Sequence, residues 1–257
     1  MGLYMKHSTA PAANLPVSEA ERAARIQLAG AYRVFANIGW AETIFNHITL
    51  RVPGPERIFL INPFGLHYRE VTASNLVAVD IDGNPVRETR YPINRAGFVI
   101  HSAIHANVDE AHCVMHTHTT TGMAVSCLKE GLSFNTFNGA QLRGRIAYHE
   151  FEGVTVRADE QKRMLAAIGD KRAVILRNHG LLTIGRTLPE AFATMYTLQR
   201  ACDVQIAASA AGTMNPITEA ALEQSGREFL GDEPRACELL FEAMVRMVGS
   251  QDSDFRN

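Results

Sequence analysis

Apolar positions recur at helical spacing from residue 18 onward, with Ala23, Ile26, Gly30, Val34 and Ile38 near one face of a 3.6-residue repeat. Ser18 followed by Glu21 has the form of a capping box, in which each side chain meets a free backbone N–H of the other residue, and Gly39 closes the helix. From Thr43 to about Asp82 the pattern shortens to strands, HITLRV, RIFLINP and NLVAVDIDG, separated by turns at Pro53-Gly54-Pro55 and Asp82-Gly83-Asn84. Residues 97–107 return to helix, and VMHTH (114–118) reads as a strand entering a helix through residues 119–121. The stretch 131–153 is loop-rich, 158–168 is helical, and AVILR (173–177) is a buried strand after which NHGLLTIG turns and continues as a second strand. Thr187 with Glu190 forms another capping box, with Pro189 tolerated in the first turn. The helix it opens runs to about Gly212, with Ala191, Met195, Leu198, Cys202 and Ile206 on one side, and shorter helices follow at 217–229 and 233–248.

Short strands with hairpin-like connections, preceded and followed by helices, predict one α/β domain whose mixed, largely antiparallel sheet is covered by helices. The domain is expected over residues 17–249, with a partly ordered tail at 1–16 and a second tail at 250–257. At 257 residues the chain has room for one large domain or two small ones, and no repeat or linker-like composition break divides it.

Charge narrows the range of partners. Lys and Arg number 25 against 27 Asp and Glu, so nothing in the balance calls for nucleic acid or an anionic membrane. No apolar run approaches the roughly 20 residues that span a bilayer, and residues 1–16 lack the form of a signal peptide. Cys113, Cys127, Cys202 and Cys237 are far apart and read as reduced core residues of a cytoplasmic protein. Dinucleotide and P-loop phosphate motifs are absent.

The ten histidines change the picture. His116 and His118 are two apart on a strand, so both imidazoles face the same side and can reach one ion at the strand's end. The alternative is a polar strand end. His179, in Arg-Asn-His-Gly directly after the apolar strand 173–177, supplies a third ligand or is a loop histidine. Imidazole suits zinc, manganese or iron, and three protein ligands with an open position make a catalytic site. His101 and His105, four apart on a helix, form a rival pair, but Ser-Ala-Ile stands between them, so the glutamate of H-E-x-x-H is missing. These two are expected to border the site or to pack between helix and sheet, and His112 and His149 to lie in polar loops.

Four segments in order, IGWAETIFNHITLRVPG, LINPFGLHYREVTASNLVAVDIDGNPV, AGFVIHSAIHANVDEAHCVMHTHTTTGMAVS and AVILRNHGLLTIGRTLPEAF, resemble the class II aldolase/adducin superfamily. NRAGFVIHSAIH, IAYHEFEG and ILRNHGL are most similar to its adducin head branch, in a free-standing bacterial form. The resemblance covers roughly residues 18–212. It implies a three-layer α/β/α fold with a mainly antiparallel sheet, and a homotetramer with sites between subunits. It also implies a divalent ion, zinc foremost, on His116, His118 and His179. In the sugar-phosphate aldolases of this superfamily the ion binds the oxygens of a hydroxy-ketone while a carbon–carbon bond breaks, and a glutamate is the acid/base. Gly97 stands in that glutamate's place here. Phe64-Gly65 replaces a usual Thr-Gly, and Arg95-Ala96 a usual pair of serines, in the phosphate pocket.

Asn46, Gly65, Arg95 and His101 are the expected substrate-binding residues, the arginine through its forked donors. The resemblance places Tyr148 as a proton donor from a neighbouring subunit, with His149 and His101 as the other candidates to move a proton. The expected activity is a divalent-metal lyase acting on a small molecule, by retro-aldol cleavage or decarboxylation. A non-haem iron oxygenase and a non-catalytic adducin-like scaffold are the alternatives. Phe64 argues for an apolar or aromatic carboxylic substrate over a sugar phosphate.

Overall fold

The protein is described by a computed structural model over residues 16–55, 57–153, 158–251 and 253–257, the side chains of Arg95, Ala96 and Ala158 excepted. The expected tail at 1–16 lies, but for its last residue, outside the described residues. The first helix, α1 (Glu19–Asn37), starts at Ser18, whose side chain accepts from the Glu21 N–H. Only half of the expected box forms, because the Glu21 carboxylate receives Arg25 and Arg87 instead. Nor is its burial a single stripe. Ala23 is exposed, whereas Leu28 to Ala36 are buried all round, because other elements enclose the helix.

Among the described residues, seven strands form one mixed sheet: β1 (His47–Arg51), β2 (Phe59–Ile61), β3 (Val77–Val79), β4 (Cys113–Thr117), β5 (Ile146–His149), β6 (Ala173–Leu176) and β7 (Gly180–Gly185). Their order is β3-β2-β1-β4-β7-β6-β5, and every pairing is antiparallel except β5 with β6. The remaining helices are α2 (Arg95–Asn107), α3 (Thr120–Ser126), α4 (Phe137–Gln141), α5 (Ala158–Ile168), α6 (Leu188–Ala211), α7 (Glu219–Arg227) and α8 (Pro234–Gly249). The region 131–153, expected as loop, therefore contains both α4 and β5. Neither is long enough to show a period, and Asn138 and Gly139 are poor helix formers.

Alternation along the strands gives the sheet two different faces. Cys113, Met115, Ile48, Leu50, Ile175 and Leu181 point into the larger core, with α1, α6 and α8. On the opposite face, Val114, Val174, Leu176, Leu182 and Ile184 pack beneath α2 and α5, and Phe59, Ile61, Val77 and Val79 pack against Phe98. Between these two apolar patches β1 contributes His47 and Thr49, so a buried polar seam runs under α2 in the middle of the sheet.

The chain's last residues are docked, contrary to the expected tail. Phe255 is fully buried, and the carbonyls of Phe255 and Asn257 accept from Ala73 and Ser74. Cys127 is exposed, while Cys113, Cys202 and Cys237 are buried, so three of the four cysteines are core residues. Among the described residues no helix is long and apolar enough to cross a membrane.

Candidate metal centre

Two antiparallel strands bring the three candidate ligands together. His116 is opposite Leu182 on β7, and His179 immediately precedes that strand. Asn178 adopts a left-handed backbone, φ 56°, which asparagine tolerates better than most residues, and this turns the chain so that His179 doubles back towards β4. Gly180 lets the two strands approach. A Cβ there would lie 2.4 Å from the Thr117 carbonyl oxygen and 3.1 Å from the His118 ring. Gly180→Ala is therefore expected to destabilise the fold by about 1–3 kcal/mol and to weaken metal binding by displacing His118, both readable by thermal melts and metal titration.

The imidazoles of His116, His118 and His179 form a nearly equilateral triangle, with ring centroids 4.6, 4.8 and 4.9 Å apart. One ligand nitrogen from each lies within 4.8 Å of the others. His116 Nδ1 donates to the Leu181 carbonyl at 2.8 Å, which leaves its Nε2 turned to within 2.8 Å of His118 Nε2. The donor set, its convergence and this fixed ring orientation fit a divalent ion. Burial lowers the pKa of all three, His118 to about 4, and the neighbouring imidazoles push those of His116 and His118 the same way. The neutral rings keep lone pairs free for a cation. His118 and His179 are half-buried, as expected of strand-end ligands, but His116 is in the interior.

The other candidates separate. Asn46 sits at φ 65° just before β1, with both amide atoms buried and, among the described residues, without a hydrogen-bond partner. Gly65 is at φ 100° with open space where a Cβ would be. Arg95 begins α2, and its side chain lies outside the described residues. His149 is on β5, not in a polar loop, and is buried with its Nε2 3.6 Å from Glu160 Oε1. A small hollow between these two residues, Phe151 and His179 has room for about 20 Å³. Tyr148 points to the other face of β5, because neighbours on a strand alternate. Its hydroxyl accepts from the Leu132 N–H, and Arg177 stacks over its ring at 4.2 Å. Within one subunit it is a packing residue.

Gly97 is the unexpected junction. A Cβ there would be 2.3 Å from His47 Cε1, so the imidazole of His47 fills the space a larger residue 97 would need. His47, opposite His116 in the sheet, was not singled out from the sequence, and neither was Thr49 or Glu160. One signal was present: Asn-His occurs at 46–47 and again at 178–179, each asparagine in the left-handed region.

The model of the Class II Aldolase and Adducin N-terminal domain matches residues 26–206. The chain belongs to this family. A Caulobacter vibrioides protein named only as an aldolase class 2 protein is 48% identical over 77% of each chain. Rattus norvegicus alpha-adducin is 41% identical over 79% of this chain and 28% of its own length. An aldolase II superfamily protein from Pseudomonas syringae superposes with a TM-score of 0.90 at 41% identity, covering 94% and 98% of the two chains. An L-fuculose 1-phosphate aldolase from Glaciozyma antarctica superposes at 0.82 with 32% identity, covering 98% and 100%. The class II aldolase α/β fold and the expected family are thereby both established.

Acidification is expected to unfold this family member early. His47 and His105, fully buried, have pKa values lowered to about 4, chiefly by burial. The folded state binds fewer protons than the unfolded one between about pH 6.5 and 4, so stability is fully present above the upper limit and falls as pH drops through that window. His105 alone accounts for on the order of 3 kcal/mol. Urea melts of metal-free protein across pH 4–7 measure the slope.

Proposed function

We propose that the protein is a divalent-metal-dependent lyase that cleaves a carbon–carbon bond next to a carbonyl, by retro-aldol reaction or decarboxylation. The observation that carries this reading is the convergence of His116, His118 and His179 with one ring pre-oriented by the Leu181 carbonyl. Zinc is the proposed ion; manganese and iron suit the same imidazoles. When bound, it supplies a Lewis acid that polarises the substrate carbonyl. His116 presents Nε2 because its other nitrogen is committed, and the buried Asn46 amide offers the substrate a donor and an acceptor. The fuculose-phosphate aldolase relative supports lyase chemistry.

The substrate reading is an apolar or aromatic carboxylic compound. Gly97 carries no carboxylate, and Phe64 stands beside Phe45, ring centroids 6.3 Å apart, where the resemblance implies hydroxyl-rich phosphate contacts. Arg95 is the proposed partner for the carboxylate. Assays against L-fuculose 1-phosphate, L-ribulose 5-phosphate and aromatic hydroxy-keto acids test this, with turnover expected only for the last group. Sugar-phosphate cleavage with kcat/KM of about 10⁴ M⁻¹s⁻¹ or above would overturn the substrate assignment and leave the lyase standing.

The protein is further proposed to act in the cytoplasm and to assemble as a homotetramer. Light scattering at micromolar concentration is expected to give four times the chain mass. A monomer would remove Tyr148 as a donor to a neighbouring site.

A further inference from the structure

Among the histidines outside the triangle, His101 and His105 are buried under α2, each with one ring nitrogen 2.7 Å from Thr49 Oγ1. His149 differs, because it borders a hollow that also reaches His179. The chain path explains this. His149 ends β5 opposite Leu176, and its carbonyl accepts from the Arg177 N–H. The His179 N–H then bonds back to the Leu176 carbonyl, so the turn carries the His179 ring to the same end of the sheet. From the other side α5 brings in Glu160. Glu160 and Met164 are four apart on one face of that helix, and both are buried.

Three polar groups meet at this hollow. His149 Nε2 is buried, and among the described residues no hydrogen bond reaches it. It lies 3.6 Å from Glu160 Oε1, too long for a direct hydrogen bond and close enough for one small molecule to touch both. The Glu160 carboxylate, with about four lone-pair sites, can accept from that molecule whatever other partners it has. His179 is the third group. A neutral imidazole that gives one nitrogen to a metal ion carries its proton on the other, and such ligands almost always donate it to a carboxylate, a carbonyl or water. His116 donates to the Leu181 carbonyl. The His179 ring has no such partner among the described residues. Burial lowers the pKa of His179 and the Glu160 carboxylate opposes that shift, so the carboxylate is near enough to act on the ring. The room between these groups is about 20 Å³. One water needs about 10–15 Å³ and two to four polar partners. The remaining wall, with Ile100, Met164 and Leu176, is apolar and directs the bonding to the three polar groups.

We propose that this hollow binds one structural water, which donates to the Glu160 carboxylate, accepts the outward ring N–H of His179 and has His149 Nε2 as its third partner. Glu160 and His149 are thereby positioning residues. Through the water they fix the rotation of the His179 ring and present its other nitrogen to the ion. This rests on the metal-dependent reading, and gives His179 the outer partner that the Leu181 carbonyl gives His116.

High-resolution crystal structures of the full-length protein, metal-free and zinc-loaded, are the test. Both should show one water about 2.7–3.2 Å from a Glu160 carboxylate oxygen, from His149 Nε2 and from the His179 ring nitrogen turned away from His116 and His118. Zinc affinity, measured by competition with a chelator, should fall about 10–100-fold in Glu160→Leu, which removes the acceptor. In Glu160→Gln the amide oxygen still takes the water's proton, and the loss should be less than about 10-fold. By nitrogen-15 NMR the His179 ring N–H should exchange slowly with solvent in the zinc-loaded wild type and Glu160→Gln, and fast in Glu160→Leu. Equal losses in the two variants would mean that the Glu160 charge acts on the ion without a bridge, and would overturn the proposal. So would a wild-type hollow without the water, or a direct bond between His179 and Glu160. If Glu160→Leu fails to fold, the wild-type crystals and Glu160→Gln still decide. Failure of the wild type to hold zinc would instead strike the metal-dependent reading, with the metal-free crystal still judging the water.

Discussion

Substituting His116, His118 or His179 by alanine is expected to abolish stoichiometric binding of the divalent ion. Each substitution removes one of three convergent nitrogens. The loss of affinity should exceed the 10–100-fold that removal of an outer-shell partner typically costs. The three variants should differ in stability. His118 and His179 are half-buried at strand ends, so their alanine forms should melt close to the wild type. His116 is interior and bonded to the Leu181 carbonyl, and its loss leaves a cavity and an unmet acceptor. His116→Ala should therefore cost several times more, on the order of 2–4 kcal/mol. Metal analysis beside calorimetric melting separates the two effects. A triple variant that still held one ion per chain would move the site to His47, His101 and His105.

A larger residue at position 97 is expected to be among the most damaging changes near the site. In Gly97→Ala the new Cβ would meet His47 Cε1 at 2.3 Å, and His47 cannot swing away freely because its ring is buried against His101. Overpacking of this kind costs about 1–3 kcal/mol, and Gly97→Glu adds a buried charge. Restoring the carboxylate that the resemblance places here should therefore destabilise the fold without creating sugar-phosphate aldolase activity. His47→Ala alone should cost less than an ordinary ring truncation, because it removes two unmet nitrogens along with the packing. The double variant Gly97→Ala with His47→Ala should recover most of the stability lost in Gly97→Ala, a coupling within the 0.5–3 kcal/mol found for contacting pairs. Additive losses in denaturant melts would show that the two residues do not share one space.

The proposed metal ligands were legible because their chemistry is local. A two-residue spacing on an apolar strand fixes His116 and His118 to one side, and the histidine before β7 needed only the turn at Asn178 and Gly180. The capping residues Ser18 and Thr187 and the strand cores were legible for the same reason. What stayed hidden depends on contacts between distant segments. His47 stands out as part of the site only once β1 lies beside β4 and α2 lies over both, and Gly97 was readable as an absent carboxylate but not as room for His47. The seam from His105 through Thr49 to His101 joins residues 52 and 56 positions apart, a relation carried by no motif. The alternating faces of β5, which send Tyr148 away from the metal centre and His149 towards it, were obscured because that strand is only four residues long.

Anomalous diffraction at the zinc edge from crystals of the zinc-loaded protein shows whether His116, His118 and His179 hold the proposed divalent ion. One peak is expected about 2.0–2.1 Å from a ring nitrogen of each histidine. A peak on His101 and His105 instead, or none beside His116, would contradict that assignment.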